Sequence, residues 1–131
     1  MSLDLEILAP DRVIVESRVI SLQAADASGR FGIRTGHEDF LTVLVPCVVR
    51  FLPESGGERF AAVDGGVLLL ERGRISIATR DAVVADRIEQ VADAAAAMLK
   101  ARREKERVAR SAFAELEATL LRELRKAVQR S

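Results

Sequence analysis

The chain has 131 residues, room for one ordinary domain or for a small domain with an appendage. Lys and Arg total 20 and Asp and Glu total 20, so the formal net charge is zero, which excludes a protein whose main task is to coat nucleic acid. An apolar content of 49% excludes a disordered tail, and an aromatic content of 4%, all of it Phe, argues against a base-stacking surface or an aromatic cage.

All eight glycines lie between Gly29 and Gly73, and the three prolines (Pro10, Pro46 and Pro53) fall in the same front part, whereas the 58 residues after Gly73 contain neither. Gly and Pro punctuate turns and break helices, so the chain reads as a turn-rich front and a helix-permissive back. In chain order, the front carries short strand-forming runs at 3–8, 13–15, 19–22, 48–52, 60–63, 67–70 and 75–78. Leu3, Leu5 and Ile7 alternate with Asp4 and Glu6, which turns one face inward and one to water. Turn chemistry separates the runs at Ala9-Pro10-Asp11, Ser28-Gly29, Ser55-Gly56-Gly57 and Glu71-Arg72-Gly73. Short strands with such turns predict an all-β sandwich or barrel.

The back changes period. Ile88, Val91, Ala92, Ala95, Met98 and Leu99 recur at three- and four-residue steps, and a second set follows at Ala109, Ala112, Phe113, Leu116, Leu120, Leu124 and Ala127. Between them lies Lys100-Ala101-Arg102-Arg103-Glu104-Lys105-Glu106-Arg107, helix-favouring by propensity. This stretch reads either as the turn of a helical hairpin or as the middle of one helix roughly 65 Å long. The predicted class is therefore α+β, with a β-sandwich domain at 1–83 and a helical domain, hairpin or extended, at 84–131.

The single cysteine, Cys47, sits in the apolar run 43–49 and reads as a small core residue in a chain without a disulfide framework. No apolar run reaches about 18 residues, and the N-terminus carries acids rather than a basic stretch before an apolar one. A soluble cytosolic protein without a signal peptide is the expectation.

The densest local signal is Gly29-Arg30-Phe31-Gly32-Ile33-Arg34-Thr35-Gly36-His37-Glu38-Asp39-Phe40-Leu41-Thr42, whose glycines imply tight turns or close backbone approach. His37 beside Glu38 and Asp39 lacks the second imidazole or thiolate of a metal site and a third partner for nucleophilic catalysis, so a contact or structural role is favoured. Gly65-Gly66 reads as a kink or bulge where backbones approach. The cluster Lys100, Arg102, Arg103, Lys105, Arg107 and Arg110, interrupted by Glu104 and Glu106, reads as a solvated helix face with internal ion pairs or as a contact for an acidic partner. Arg122, Arg125, Lys126 and Arg130 extend positive charge toward the C-terminus.

Phe31-Gly32-Ile33-Arg34-Thr35-Gly36-His37-Glu38-Asp39-Phe40-Leu41-Thr42-Val43-Leu44 resembles the G-I-L-P-G-H-x-x-L-L-T-x-L signature of the epsilon subunit family of F-type ATP synthases. Ala62-Val63-Asp64-Gly65-Gly66-Val67-Leu68 is similar to that family's A-V-x-G-G-hydrophobic segment, in the same order and spacing. Arg34-Thr35 in place of Leu-Pro resembles the variant of the alternative, sometimes sodium-linked, F-type operons. The resemblance implies a non-catalytic rotor subunit of the central stalk, peripheral to the cytoplasmic face of the bacterial inner membrane, with no cofactor, metal or nucleic acid. Its implied partners are the gamma subunit, the c ring and, transiently, the catalytic alpha/beta head. On this resemblance Gly32, Ile33, Arg34, Gly36, His37 and Glu38 are candidate contacts to the ring or to gamma. Arg110, Arg122, Arg125, Lys126 and Arg130 are candidate regulatory contacts that restrain ATP hydrolysis. Nucleotide-binding members carry I/L-D-x-x-R-A at the start of the first helix. Here Glu89 stands where an arginine would follow Asp86, so no ATP site is expected. Two rival readings remain at this level: a small β-domain enzyme using His37 with Glu38 or Asp39, and a nucleic-acid adaptor using the basic helix.

Overall fold

The computed structural model describes residues 2–130. In chain order the elements are β1 (Leu3–Ala9), β2 (Arg12–Asp26), β3 (Gly29–Arg34), β4 (Phe40–Pro53), β5 (Arg59–Glu71), β6 (Arg74–Ala78), β7 (Ala82–Ala85) and α1 (Ile88–Arg130). The hydrogen-bonded strand order is β1-β6-β5-β4-β2-β3, and β1 also pairs with β2, so five strands close on one another. Strand β7 adds to β5, and every pairing is antiparallel except β1 with β6. This is the expected all-β sandwich or barrel followed by helix.

Closure follows from the alternation. Leu3, Leu5 and Ile7 of β1 are buried, as are Ile75 and Ile77 of β6 and Leu68 and Leu70 of β5. Their registers, Leu5↔Ile75 and Ile7↔Ile77 in one ladder and Leu68↔Ile77 and Leu70↔Ile75 in the next, stack the inward rows side by side. Phe51, Leu22, Ile33, Leu44, Val19 and Val49 pack into the same core. Each such side chain contributes roughly 1.5–3 kcal/mol by leaving water.

Several runs read as separate are single long strands. The 13–15 and 19–22 runs are both part of β2, and 60–63 and 67–70 are joined through Gly65-Gly66 within β5. Gly66, at φ 128°, lies against β6, and a Cβ there would stand 2.0 Å from the carbonyl oxygen of Ala78. That is the close backbone approach expected of the pair.

The chain divides into two compact units, Met1–Leu99 and Lys100–Ser131. In the first, Val91 is buried and packs with Phe60 and Ala62 of β5, bordered by Val48, Ala85, Ala94, Ala95 and Met98. This small second core fastens the opening turns of α1 to the outer side of the sheet. Ala92, expected on that helical face, is exposed instead. The second unit is helical throughout its described residues, and all of them are exposed. Of the two forms open to the C-terminal segment, a single helix is observed. Residues 100–107 hold no turn-forming residue, and the ion pairs Arg102–Glu106 and Glu104–Arg107 sit at helical spacing within them.

Candidate functional site

The glycine-rich segment is more regular than its composition suggests. Gly29–Arg34 is strand β3, and Phe40 opens β4, leaving only residues 35–39 irregular. The strand forms despite two glycines because Phe31 and Ile33 alternate inward while Arg30, Gly32 and Arg34 alternate outward. Ile33 is 0% exposed in the core, so this candidate contact presents no side chain at the surface. The other five, Gly32, Arg34, Gly36, His37 and Glu38, are exposed together along one end of β3 and the segment that follows. Arg34, Gly36 and His37 share an open groove of about 430 Å³ with Ser21 and Gln23 of β2.

Residues 35–39 hold themselves in a defined shape. Gly36 adopts φ 88°, and the His37 amide donates to the carbonyl of Arg34 at 3.1 Å. The His37 ring places Nδ1 2.7 Å from the carbonyl oxygen of Glu38, and its centroid lies 5.0 Å from that of Phe40. Phe40 in turn meets Phe31 edge-on at 5.7 Å. His37, Glu38 and Asp39 do not converge as an acid–base or metal constellation, because Asp39 is turned to the backbone amide of Arg72 at 3.0 Å. Asp26 anchors the roots of β3 and β4: its carboxylate accepts from Ser28 and, at 2.7 Å, from the Thr42 hydroxyl. The Ser28 side-chain bond, then the Thr42 bond, hold the Asp26 carboxyl below its ordinary pKa. Cys47 is half-buried against the core, and burial raises its thiol pKa.

The surface that single residues and motifs did not reveal is apolar. Val43 pairs with Val67, Val67 with Ala78, Ala78 with Leu8 and Leu8 with Val13, a row of directly opposed apolar residues across five strands. Val43, Val67 and Val13 are 66%, 42% and 51% exposed, so the row faces outward. The exposed pair Leu41↔Leu69 lies beside it, toward residues 35–39. The readable signal is that β4 and β5 are apolar at consecutive positions, as in Val67-Leu68-Leu69-Leu70, where a strand with one wet face would alternate.

In the Lys100–Ser131 unit, Phe113, Leu116, Leu120, Leu121 and Leu124 are 50–68% exposed along one helical stripe. Arg110, Arg122, Arg125, Lys126 and Arg130 are exposed on the same helix, with Arg122 bonded to Thr119 at 3.2 Å and Lys126 3.6 Å from Glu123. At the start of α1, Asp86 forms an ion pair with Arg59 at 2.9 Å. Among the described residues no group of three or more His, Cys, Asp or Glu gathers as for a metal ion, and no helix is long and apolar enough to cross a membrane.

Residues 2–85 match the family described as ATP synthase, Delta/Epsilon chain, beta-sandwich domain. The chain is 42% identical over 87 residues to ATP synthase epsilon chain 2 of Paraburkholderia xenovorans, a match covering 65% of this chain and 63% of that relative, just under two thirds of its length. It is 34% identical over 133 residues to ATP synthase epsilon chain 2 of Cereibacter sphaeroides, covering 100% of this chain and 91% of that one, helix included. Among solved structures, a chain in the cryo-EM structure of Euglena gracilis mitochondrial ATP synthase, OSCP/F1/c-ring, is 25% identical with a TM-score of 0.61, over 71% of this chain and 61% of that chain.

Proposed function

Because this chain belongs to the ATP synthase delta/epsilon family, we propose that it is a non-catalytic rotor subunit of the central stalk of an F-type ATP synthase. The observation that carries this reading is the exposed apolar row Val43, Val67, Ala78, Leu8 and Val13, with Leu41 and Leu69 beside it. A contiguous outward apolar band on a rigid sheet is a protein-docking surface. Its occupant in this reading is the gamma subunit. Gly32, Arg34, Gly36, His37 and Glu38, polar or backbone-rich and adjacent, meet the polar loops of the c ring. The chain then turns with the ring on the cytoplasmic face of the bacterial inner membrane and links ion translocation to ATP synthesis and hydrolysis.

In the same reading residues 1–83 are the docking domain and 84–131 the regulatory one. The uncovered stripe of α1 and the cations Arg110, Arg122, Arg125, Lys126 and Arg130 meet the acidic catalytic head and restrain hydrolysis. Because Asp86 is paired with Arg59 and Glu89 stands where a phosphate-binding arginine would, no ATP site is assigned at the start of the helix.

Affinity purification of the tagged chain from membranes co-expressing the synthase tests the docking surface. Gamma and the ring subunit accompany the parent chain, Val67→Glu loses gamma, and Arg34→Glu weakens retention of the ring. Purification of the parent chain without either subunit overturns the reading.

A further inference from the structure

We propose that Asp39 is a positioning residue for segment 35–39, acting through the backbone amide of Arg72; its consequence for assembly rests on the docking role proposed above. Arg72 and Gly73 form the two-residue turn between β5 and β6, with φ 50° and 75°, the positive values that a type I′ hairpin turn demands. Arg72 is the one non-glycine with positive φ among the described residues, at a position where Asn, Asp or Gly is the usual occupant. The outward-facing turn amide of Arg72 donates to Asp39 Oδ1 at 3.0 Å, across 33 residues of sequence.

The bond continues the β4–β5 ladder past its last pairs. Leu41↔Leu69 and Phe40↔Leu70 are in register, so Asp39 follows opposite Glu71, and its side chain reaches one residue further to the Arg72 amide. The local bonds of His37 to Arg34 and Glu38 shape the segment internally but do not orient it on the sheet. Asp39 ties it to the β5–β6 turn, beside the exposed pair Leu41 and Leu69. A carboxylate accepting a backbone N–H forms a charge-assisted bond, and fixing a segment before docking removes the entropy cost of ordering it on the partner.

The full chain carrying Asp39→Ala, Asp39→Asn or Arg72→Gly tests this, with amide hydrogen exchange by NMR, thermal unfolding, and affinity for the co-purified gamma–ring assembly. Asp39→Ala is expected to speed exchange of the Arg72 amide and of residues 35–39 by about tenfold while the melting temperature stays near the parent's, since Asp39 is exposed. The same change lowers affinity for the assembly by about tenfold. Asp39→Asn keeps Oδ1 and stays within about threefold of the parent in both measurements. Arg72→Gly keeps the amide and docks like the parent. Parental exchange in Asp39→Ala overturns the proposal. So does an Asp39→Asn chain with parental exchange and the weak docking of Asp39→Ala, because Asp39 would then act by its charge on the partner. If the parent chain itself fails to bind the assembly, the docking reading falls, and the exchange data still decide whether Asp39 positions the segment.

Discussion

Gly66 has almost no room to change. A methyl group there would stand 2.0 Å from the Ala78 carbonyl oxygen, far inside van der Waals contact distance, on a backbone at φ 128° that side chains rarely adopt. Gly36 offers the contrast: φ is 88°, but nothing lies within 4 Å of its added Cβ. Gly36→Ala is therefore expected to cost about 1 kcal/mol from backbone conformation alone, and Gly66→Ala on the order of 3 kcal/mol, because β5 and β6 must also part. Urea unfolding of the two variants checks the ranking, and equal costs would show that the sheet absorbs the methyl group. The glycines of both were legible as backbone requirements. Which of them had a neighbouring strand pressed against it was not, because Ala78 lies 12 positions away and enters only through the β5–β6 register.

At the scale of the element, strands and helix were legible to different degrees. β1 and β6 matched their alternation closely, since each carries inward apolar residues between polar ones. β3 was hidden by Gly29 and Gly32, yet its inward Phe31 and Ile33 give it the same period of two. β7, four residues of small and β-branched type, gave no period to read. The helix was legible throughout because no Gly or Pro interrupts it, but local propensity is satisfied equally by one helix and by two, so its continuity was not. Its uncovered stripe sets an expectation for the assembled complex. Deleting residues 108–131 removes Phe113, Leu116, Leu120 and Leu124 with all five candidate cations, and should raise ATP hydrolysis several-fold at unchanged subunit content. An ATPase assay of the purified complex reads this directly, and unaltered hydrolysis would remove the regulatory role.

For the molecule as a whole, the unit Met1–Leu99 owns both its main core and the second core around Val91. A chain ending at residue 99 should unfold in one cooperative transition within a few degrees of the full chain. One ending at residue 85 uncovers Phe60 and Ala62, which are 6% and 0% exposed in the full chain, and should lose about 2 kcal/mol. Calorimetry of the two truncations distinguishes a helix start that belongs to the sandwich from one that merely follows it.

The sequence by itself determined the class of the chain, the turns, and the family, because each is written in neighbouring residues: alternation, breakers and two motifs. Only the tertiary structure decided that Ile33 is core, that Asp39 serves the β5–β6 turn, and that Val43, Val67, Ala78, Leu8 and Val13 form one outward band. These depend on strand register, and register is set by how distant inward rows pack together, a quantity that no short window of sequence contains.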